Sequence, residues 1–359
     1  MTDLQKEQIH QLFMQRCIGL ARRGAGKVSP NPMVGAVIVV DGIILAEGWH
    51  QQYGGPHAEP MAINSLVEKY SGAADLLKRA TIYVSLEPCS HFGKTPPCAE
   101  LIIKHQLSEV IIGCLDPSEK VSGKGVQKLL AAGIKVTSGI LNDECIYLNR
   151  RFFTSNRFKR PYIILKWAET ENGFISPLPR QEIQITSAAS KMISHRWRTQ
   201  EDCILIGKNT ALIDDPSLTS REWPGRNPIR AVVDWGLTLP ETLNIFDQEA
   251  DTLIFNGLKT EKVRNLTYFQ LETRAYLPQY ILFQLYLMDL HSVIIEGGAS
   301  LLNQFIAAGL WDEARVFSSQ KSFHSGLEAP LLHGKLLSVD KYGTDQLKII
   351  QNSDYTLSS

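Results

Sequence analysis

Cysteine is scarce in this sequence: six residues among 359, at positions 17, 89, 98, 114, 145 and 203. That excludes a small scaffold stapled by disulfides. Neither sign of charge is in excess, with 37 Lys plus Arg against 37 Asp plus Glu. A broad basic face for nucleic acid, or an acidic tail, is therefore not expected. No apolar run is long enough for a membrane span; MVGAVIVV is short, and YILFQLYLMDL is interrupted by polar residues. The opening MTDLQKEQIHQLF has no apolar core of a signal peptide, so the expected location is cytoplasmic, where thiols stay reduced. There is no internal repeat and no low-complexity segment. A G-x-G-x-x-G between strand and helix is also missing, which leaves a Rossmann nucleotide site unsupported.

What is present describes a soluble globular chain, with 44% hydrophobic and 21% charged residues and a length that suggests two domains. Apolar positions Leu4, Ile9, Leu12, Phe13, Cys17 and Leu20 fit one face of a helix over residues 3–23. SPNPMVGAVIVVDGIILAEGWH reads as two strands joined at Asp41-Gly42. HAEPMAINSLVEKY follows as a helix, with Pro60 tolerated in its first turn. A strand (ATIYVSLEPC), a helix (PPCAELIIKHQ), a strand (EVIIGCLDP), a helix stopped by Gly133 and a last strand (IKVTSGI) complete an α/β domain near residue 147. The segment 145–161 is rich in Arg, Asn and aromatics, and its middle is taken as the boundary, giving domains 1–150 and 151–359. The second series has strands at 161–168, 202–207, 229–235, 251–256 and 292–296, and helices at 187–199, 278–290 and 299–308. That alternation implies a mostly parallel sheet covered on both faces.

The chemistry concentrates in EPCSHFGKTPPC, residues 87–98. Cys89 and Cys98 each follow a proline, and His57 stands 32 residues before Cys89 in an H-A-E triplet. Both halves lead from a loop or strand end into a helix, so two neighbouring helices would bring one imidazole and two thiols together. Helix N-termini favour the thiolate form that a metal needs. Three protein ligands leave the fourth position of a zinc open, the mark of a catalytic site. Glu59 is too close to His57 to be a comfortable fourth ligand and is suited to carrying protons. This is the zinc deaminase arrangement, in which the glutamate of H-x-E is not a ligand. The bland alternatives are core cysteines, or a structural zinc with His91 as fourth ligand. Cys17, Cys114 and Cys203 read as small core residues; Cys145 is open.

The deaminase signature has two residues between the cysteines, and this chain has eight. That spacing, the H-A-E triplet and the upstream NPMVGAVIV closely resemble the bifunctional deaminase/reductase family of riboflavin biosynthesis, densely over residues 29–139. The resemblance implies a cytidine-deaminase-like α/β/α domain holding one Zn2+. It also implies substrate contacts from Asn31, His50, His91, Lys94 and Asp116. The family follows that aspartate with Pro-Asn-Pro, whereas here Ser118 replaces the asparagine.

IGKNTALIDDPSLTSR and IIEGGASLL resemble, in order and spacing, the reductase half of the same family, over about residues 160–315. The resemblance implies a dihydrofolate-reductase-like α/β domain that uses NADPH. It puts Thr210, Asp214, Gly297 and Gly298 at the cofactor, and Lys166, Arg198, Leu218, Arg221 and Glu296 at the substrate. Two departures stand out: Asn172 replaces the aspartate of an Asp-Gly turn, and Gln184 replaces a tryptophan before Ile-Thr-Ser. The implied ligand is a phosphorylated pyrimidine, with no nucleic acid and no membrane, and the protein is expected to be a homo-oligomer. Rival readings are a nucleoside or tRNA deaminase with an unrelated partner domain, a non-enzymatic zinc-stabilised binding protein, and a deaminase with a degenerate reductase half. The role of SSQKSFHSGLEAPLLHG is left open beyond a strand and loop near the second site.

Overall fold

The computed structural model describes residues 2–90, 96–118, 122–180 and 183–357. The chain divides into two compact units, the first ending at Phe158 and the second beginning at Lys159.

The first unit runs α1 (Asp3–Ala21), β1 (Gly35–Val40), β2 (Ile43–Trp49), α2 (Ala58–Lys69), α3 (Ala73–Arg79), β3 (Thr81–Leu86), α4 (Cys98–Lys104), β4 (Glu109–Cys114), α5 (Lys124–Ala131), β5 (Lys135–Ser138), α6 (Asn142–Leu148) and α7 (Arg150–Phe158). Asp41 and Gly42 both have positive φ, the geometry of the tight hairpin turn that the sequence announces. The sheet order is β2-β1-β3-β4-β5, with β3, β4 and β5 parallel and β1 antiparallel to its neighbours. Ala36, Ile38, Ile82, Val84, Val110 and Ile112 alternate along their strands and bury one face against Ile63, Leu66, Leu77, Ile102 and Leu129 of the helices. The other face takes α1 and α6. Gly113 lets α6 approach, because a Cβ there would lie 2.3 Å from Cys145 Sγ. Cys145 is thus a core residue, as are Cys17 and Cys114.

The helix α7 spans the boundary expected from the sequence. The expected break at 150/151 falls at the start of α7, which the compact division keeps with the first unit. This helix is polar overall and buries Phe153, Thr154 and Ser155. The short helices α3, α6 and α7 have no counterpart in the sequence reading.

The second unit runs β6 (Tyr162–Glu169), β7 (Phe174–Pro177), α8 (Ala188–Gln200), β8 (Cys203–Gly207), α9 (Lys208–Asp214), β9 (Ile229–Val233), β10 (Thr252–Asn256), β11 (Glu261–Val263), β12 (Leu266–Gln270), α10 (Leu277–Leu287), β13 (Ser292–Glu296), α11 (Ala299–Ala307), β14 (Glu313–Ser318), β15 (Gly326–Glu328), β16 (Gly334–Tyr342) and β17 (Asp345–Asn352). Its main sheet has the order β11-β12-β10-β9-β8-β13-β6-β14-β17-β16. Every pair from β12 to β14 is parallel, and both edges are antiparallel. Successive residues face opposite ways, so the parallel strands feed two cores. Ile163, Leu165, Leu205, Phe255 and Ile295 pack under α10 and α11 through Ile281, Leu285, Leu302 and Phe305. Ile164, Ile204, Ile206, Val232 and Ile294 pack on the opposite face with Ala211 and Leu218. The second series of alternating strands and helices is therefore a covered, mostly parallel sheet. The C-terminal segment adds an antiparallel hairpin, β16–β17, and a small ladder between β15 and β7.

Candidate active sites

Both sites form where parallel strands end, the usual place for a ligand in an open α/β sheet. In the first unit His57 caps α2, Cys89 follows β3, and Cys98 opens α4. The helices α2 and α4 pack against each other. His57 Nδ1 lies 3.7 Å from Cys89 Sγ and 3.3 Å from Cys98 Sγ. The three ligand atoms all lie within 4.8 Å of one another. A tetrahedral zinc with ordinary Zn–S and Zn–N bonds holds such atoms roughly 3.6 Å apart, so the residues fit the ion. The backbone amide of Cys98 donates to Cys89 Sγ at 3.3 Å. A hydrogen bond from the Cys98 side chain lowers the Cys89 thiol to about 4, with burial opposing and His57 assisting. Those are the conditions that favour a thiolate ligand.

Glu59 lies in the first turn of α2 and is almost wholly buried, at 3% exposure. Burial pushes its carboxyl up to about 7. Among the described residues the charge on His57, a backbone hydrogen bond and one from Cys98 offset part of that burial, and His57 itself is raised by its bond to Cys89. Asn31 Nδ2 contacts His50 Nε2 at 3.1 Å, and His50 Nδ1 meets the Pro56 carbonyl at 2.9 Å. The His50 ring sits edge-on to His57 at 5.5 Å between centroids. Burial lowers the His50 pKa, with the Pro56 carbonyl opposing. The structure therefore brings Asn31, His50, His57, Glu59, Cys89 and Cys98 together. His91 and Lys94 lie outside the described residues.

Asp116 follows β4 and is buried; its carboxylate accepts from the Ser118 amide at 2.8 Å. Ser118 thus closes a short turn of its own after Asp116. Sequence reasoning missed Glu87, the residue that ties this loop to the metal site. Its carboxylate accepts from the amides of Asp116, Gly123, Gly125 and Val126, at 2.9 to 3.3 Å. A carboxylate closing a buried apolar strand was the available signal, since such a group must find donors.

In the second unit Lys166 on β6 and Glu296 on β13 are register partners, with Nζ 3.5 Å from Oε1. Arg198 Nη2 donates to Glu296 Oε2 at 3.0 Å, and Nη1 donates to the Thr219 carbonyl at 3.2 Å. Burial pushes the Glu296 carboxyl up, but Arg198 and Lys166 outweigh it and hold it at about 2. Leu218 is buried with a positive φ of 56° beside Thr219, and Arg221 is exposed. One turn before Arg198 stands His195, 2% exposed, whose Nδ1 has no hydrogen-bond partner among the described residues. Burial and the neighbouring Arg198 lower it to about 4. Sequence reasoning did not single it out.

A cavity of about 430 Å³ opens beside this cluster within the same unit, lined by the first turns of α9 and α11, the residues after β9, and Arg274. Thr210 Oγ1 accepts from the Gly298 amide at 3.0 Å. Gly297 has a φ of +128°, and a Cβ there would lie 2.7 Å from Thr210 Oγ1. Thr210 and Gly298 line the cavity; Asp214, at the end of α9, is exposed and not among its lining residues. The glycine cradle, the amides of α11 and nearby basic side chains fit a pyrophosphate.

The two departures have local explanations of unequal depth. Gly173 N–H bonds the Thr170 carbonyl, and Asn172 both donates to the Phe323 carbonyl at 2.7 Å and accepts from the Phe323 amide at 3.2 Å. An aspartate could accept there but not donate. This also gives part of the 318–334 segment a place: it pairs with the β6–β7 turn. Gln184 is exposed and bonds the Thr186 carbonyl; nothing in the structure explains its replacing an aromatic.

The comparisons divide the chain the same way. The cytidine and deoxycytidylate deaminase zinc-binding region matches residues 7–114, and the RibD C-terminal domain matches residues 161–323. The riboflavin biosynthesis protein RibD of Aquifex aeolicus is 37% identical, over 89% of each chain. That of Bacillus amyloliquefaciens is 39% identical, over 91% of this chain and 89% of its own. The crystal structure of a diaminohydroxyphosphoribosylaminopyrimidine deaminase/5-amino-6-(5-phosphoribosylamino)uracil reductase from Thermotoga maritima superposes with a TM-score of 0.88 at 36% identity, covering 97% of this chain and 99% of that one. With both halves matched in one chain, the protein belongs to the RibD family of bifunctional riboflavin-biosynthesis enzymes, with a zinc deaminase domain and an NADPH-using reductase domain.

Proposed function

We propose that the first site hydrolytically deaminates a diamino-ribosylamino-pyrimidinone 5′-phosphate and that the second reduces the ribosyl group of the product to ribityl. The observation that carries the reading is the His57–Cys89–Cys98 triangle with Glu59 buried beside it. Zinc, when bound there, supplies Lewis-acid activation of water near neutral pH. Glu59 takes a proton from the attacking water and delivers it to the departing amine, so water is consumed and ammonia is released. Asn31 and His50, joined to each other and set against His57, orient the pyrimidine. Asp116, steadied through Glu87, holds the ribose side. His91 and Lys94 belong to the same proposal, with Lys94 as a point charge for the phosphate.

At the second site NADPH, when bound, supplies the hydride that reaches C1 of the opened ribose. Thr210, Gly297 and Gly298 cradle its phosphates, with Asp214 farther along α9. Lys166, Arg198, Leu218, Arg221 and Glu296 bind the substrate, and the paired cations suit a phosphate monoester. Both halves match the family along their length, which favours two working sites over a silent reductase. The proposed division into functions is 1–150 and 151–359. Self-association is part of the reading; the outer strand β16 leaves Leu336, Leu337 and Val339 exposed, and light scattering tests it. No helix among the described residues is long and apolar enough to cross a membrane.

The test supplies the already deaminated ribosylamino-uracil phosphate and follows NADPH absorbance. Steady oxidation is the expected result. Ammonia release from the first substrate without any NADPH oxidation would reduce the protein to a deaminase.

A further inference from the structure

The cavity of the second unit runs across three neighbouring strand ends. In sheet order these are β13, β8 and β9, followed by the Gly297-Gly298 turn, by Gly207-Lys208 and by Trp235. Strands are spaced by about 4.8 Å, so the step from the α11 amides to Trp235 spans roughly 10 Å. That is the reach from a dinucleotide's pyrophosphate to its adenosine. On the opposite side, β13 pairs with β6, which carries Lys166 of the substrate cluster. The adenosine end therefore belongs over Trp235.

The lining at that end is built. Trp235 is half-buried, and its ring packs so closely on Gly257 that a Cβ there would lie 2.5 Å from the ring. The Arg274 guanidinium stands over the same ring, 4.8 Å from its centroid. Lys208 donates to Thr238 Oγ1, three residues beyond Trp235. Arg274 and Lys208 both line the cavity, and no Asp or Glu is among its described lining residues. Dinucleotide sites that prefer an unphosphorylated ribose commonly place a carboxylate on the 2′-hydroxyl, and a carboxylate there would repel a 2′-phosphate. Here cations occupy that end, and the indole holds one of them in place at low entropic cost.

Resting on the reductase reading above, we infer that Arg274, stacked on Trp235 and assisted by Lys208, reads the 2′-phosphate of the cofactor and is the residue by which this chain selects NADPH over NADH. Arg274 is exposed at the rim, so its effect is that of a charge-assisted hydrogen bond in a partly solvated setting. Its loss is expected to weaken NADPH roughly ten- to fifty-fold and to leave NADH unchanged.

The experiment measures dissociation constants for NADPH, NADH and adenosine 2′,5′-bisphosphate by calorimetry. It uses the full chain and its Arg274→Ala, Arg274→Lys and Lys208→Ala variants. Thermal unfolding checks that each variant folds. Arg274→Ala should lose affinity for NADPH and the bisphosphate together, with NADH untouched; Arg274→Lys should recover part of the loss; Lys208→Ala should show a smaller loss of the same selectivity. Equal weakening of NADPH and NADH by Arg274→Ala, or no change in either, overturns the inference while leaving the reductase reading intact. A wild-type chain that binds neither dinucleotide removes the reductase reading and this inference with it.

Discussion

The two sites sit at equivalent places in their sheets and are assembled in opposite ways. At the first, three ligand atoms and one carboxylate crowd within a few ångströms, supplied by the N-termini of two helices and one strand end. At the second, a cation–carboxylate cluster and a cavity extend over strand ends from β6 to β9, with contributions from α8, α9, α11 and the segment before α10. A metal ion demands fixed short bonds to few atoms, so its site compresses into a short motif. A dinucleotide and a sugar phosphate spread recognition over many weaker contacts, each replaceable by a neighbour. The first site should therefore fail abruptly on single changes and the second by degrees.

The largest expected effect tests that abruptness. Glu59→Gln should keep one zinc per chain and lose deamination by roughly a hundred- to ten-thousand-fold, the usual worth of a general acid–base. NADPH oxidation on the deaminated substrate should persist in the same protein. Metal analysis beside both assays reads the split, and full deamination by this variant would sink the assigned role. Next comes Gly297→Val. A side chain at a φ of +128°, with its Cβ 2.7 Å from Thr210 Oγ1, must displace the cradle. Strain of roughly 1–3 kcal/mol and weakened NADPH binding are expected, with ammonia release unaffected. Unchanged NADPH affinity would remove the glycine turn from the cofactor site.

A smaller effect lies in acid. The Glu296 carboxyl is held at about 2, below its ordinary 4.5. A depressed carboxylate contributes stability that is present above its unfolded value and is lost as pH falls through its folded one. The second unit should thus weaken between about pH 4.5 and pH 2, and Glu296→Gln should flatten that part of the profile. Circular dichroism across the range checks it; a variant profile as steep as the wild type's would assign the acid sensitivity elsewhere. The smallest effect is expected of Asn172→Asp, which restores the residue usual in the family. It should lose the donor to the Phe323 carbonyl and cost about 0.5–1.5 kcal/mol of stability in the second unit, with little change in turnover. A stabilised variant would show that the Asn172 amide bridge is incidental.

Legibility in the sequence followed the same division. His57, Glu59, Cys89 and Cys98 could be read as one group because soft ligands at helix starts are rare and their spacing is constrained. Glu87 could not, because its role depends on amides from a loop nearly forty residues away. Thr210 and Gly298 came from the family resemblance, but Trp235 and Arg274 did not. They meet only because the fold brings the segment before α10 to the strand end after β9.

The sequence by itself determined the alternating strands and helices, the hairpin at Asp41-Gly42, the three metal ligands with their carboxylate, and a chain of two α/β domains. These are local: they depend on side-chain periodicity, turn conformation and the donor chemistry of a few residues. Tertiary structure alone decided that α7 joins the first unit, that Cys145 is core, that the C-terminal strands extend the second sheet, and which residues line the cavity. Each of those depends on strand order, and strand order is set by which buried faces pack together, not by neighbours along the chain.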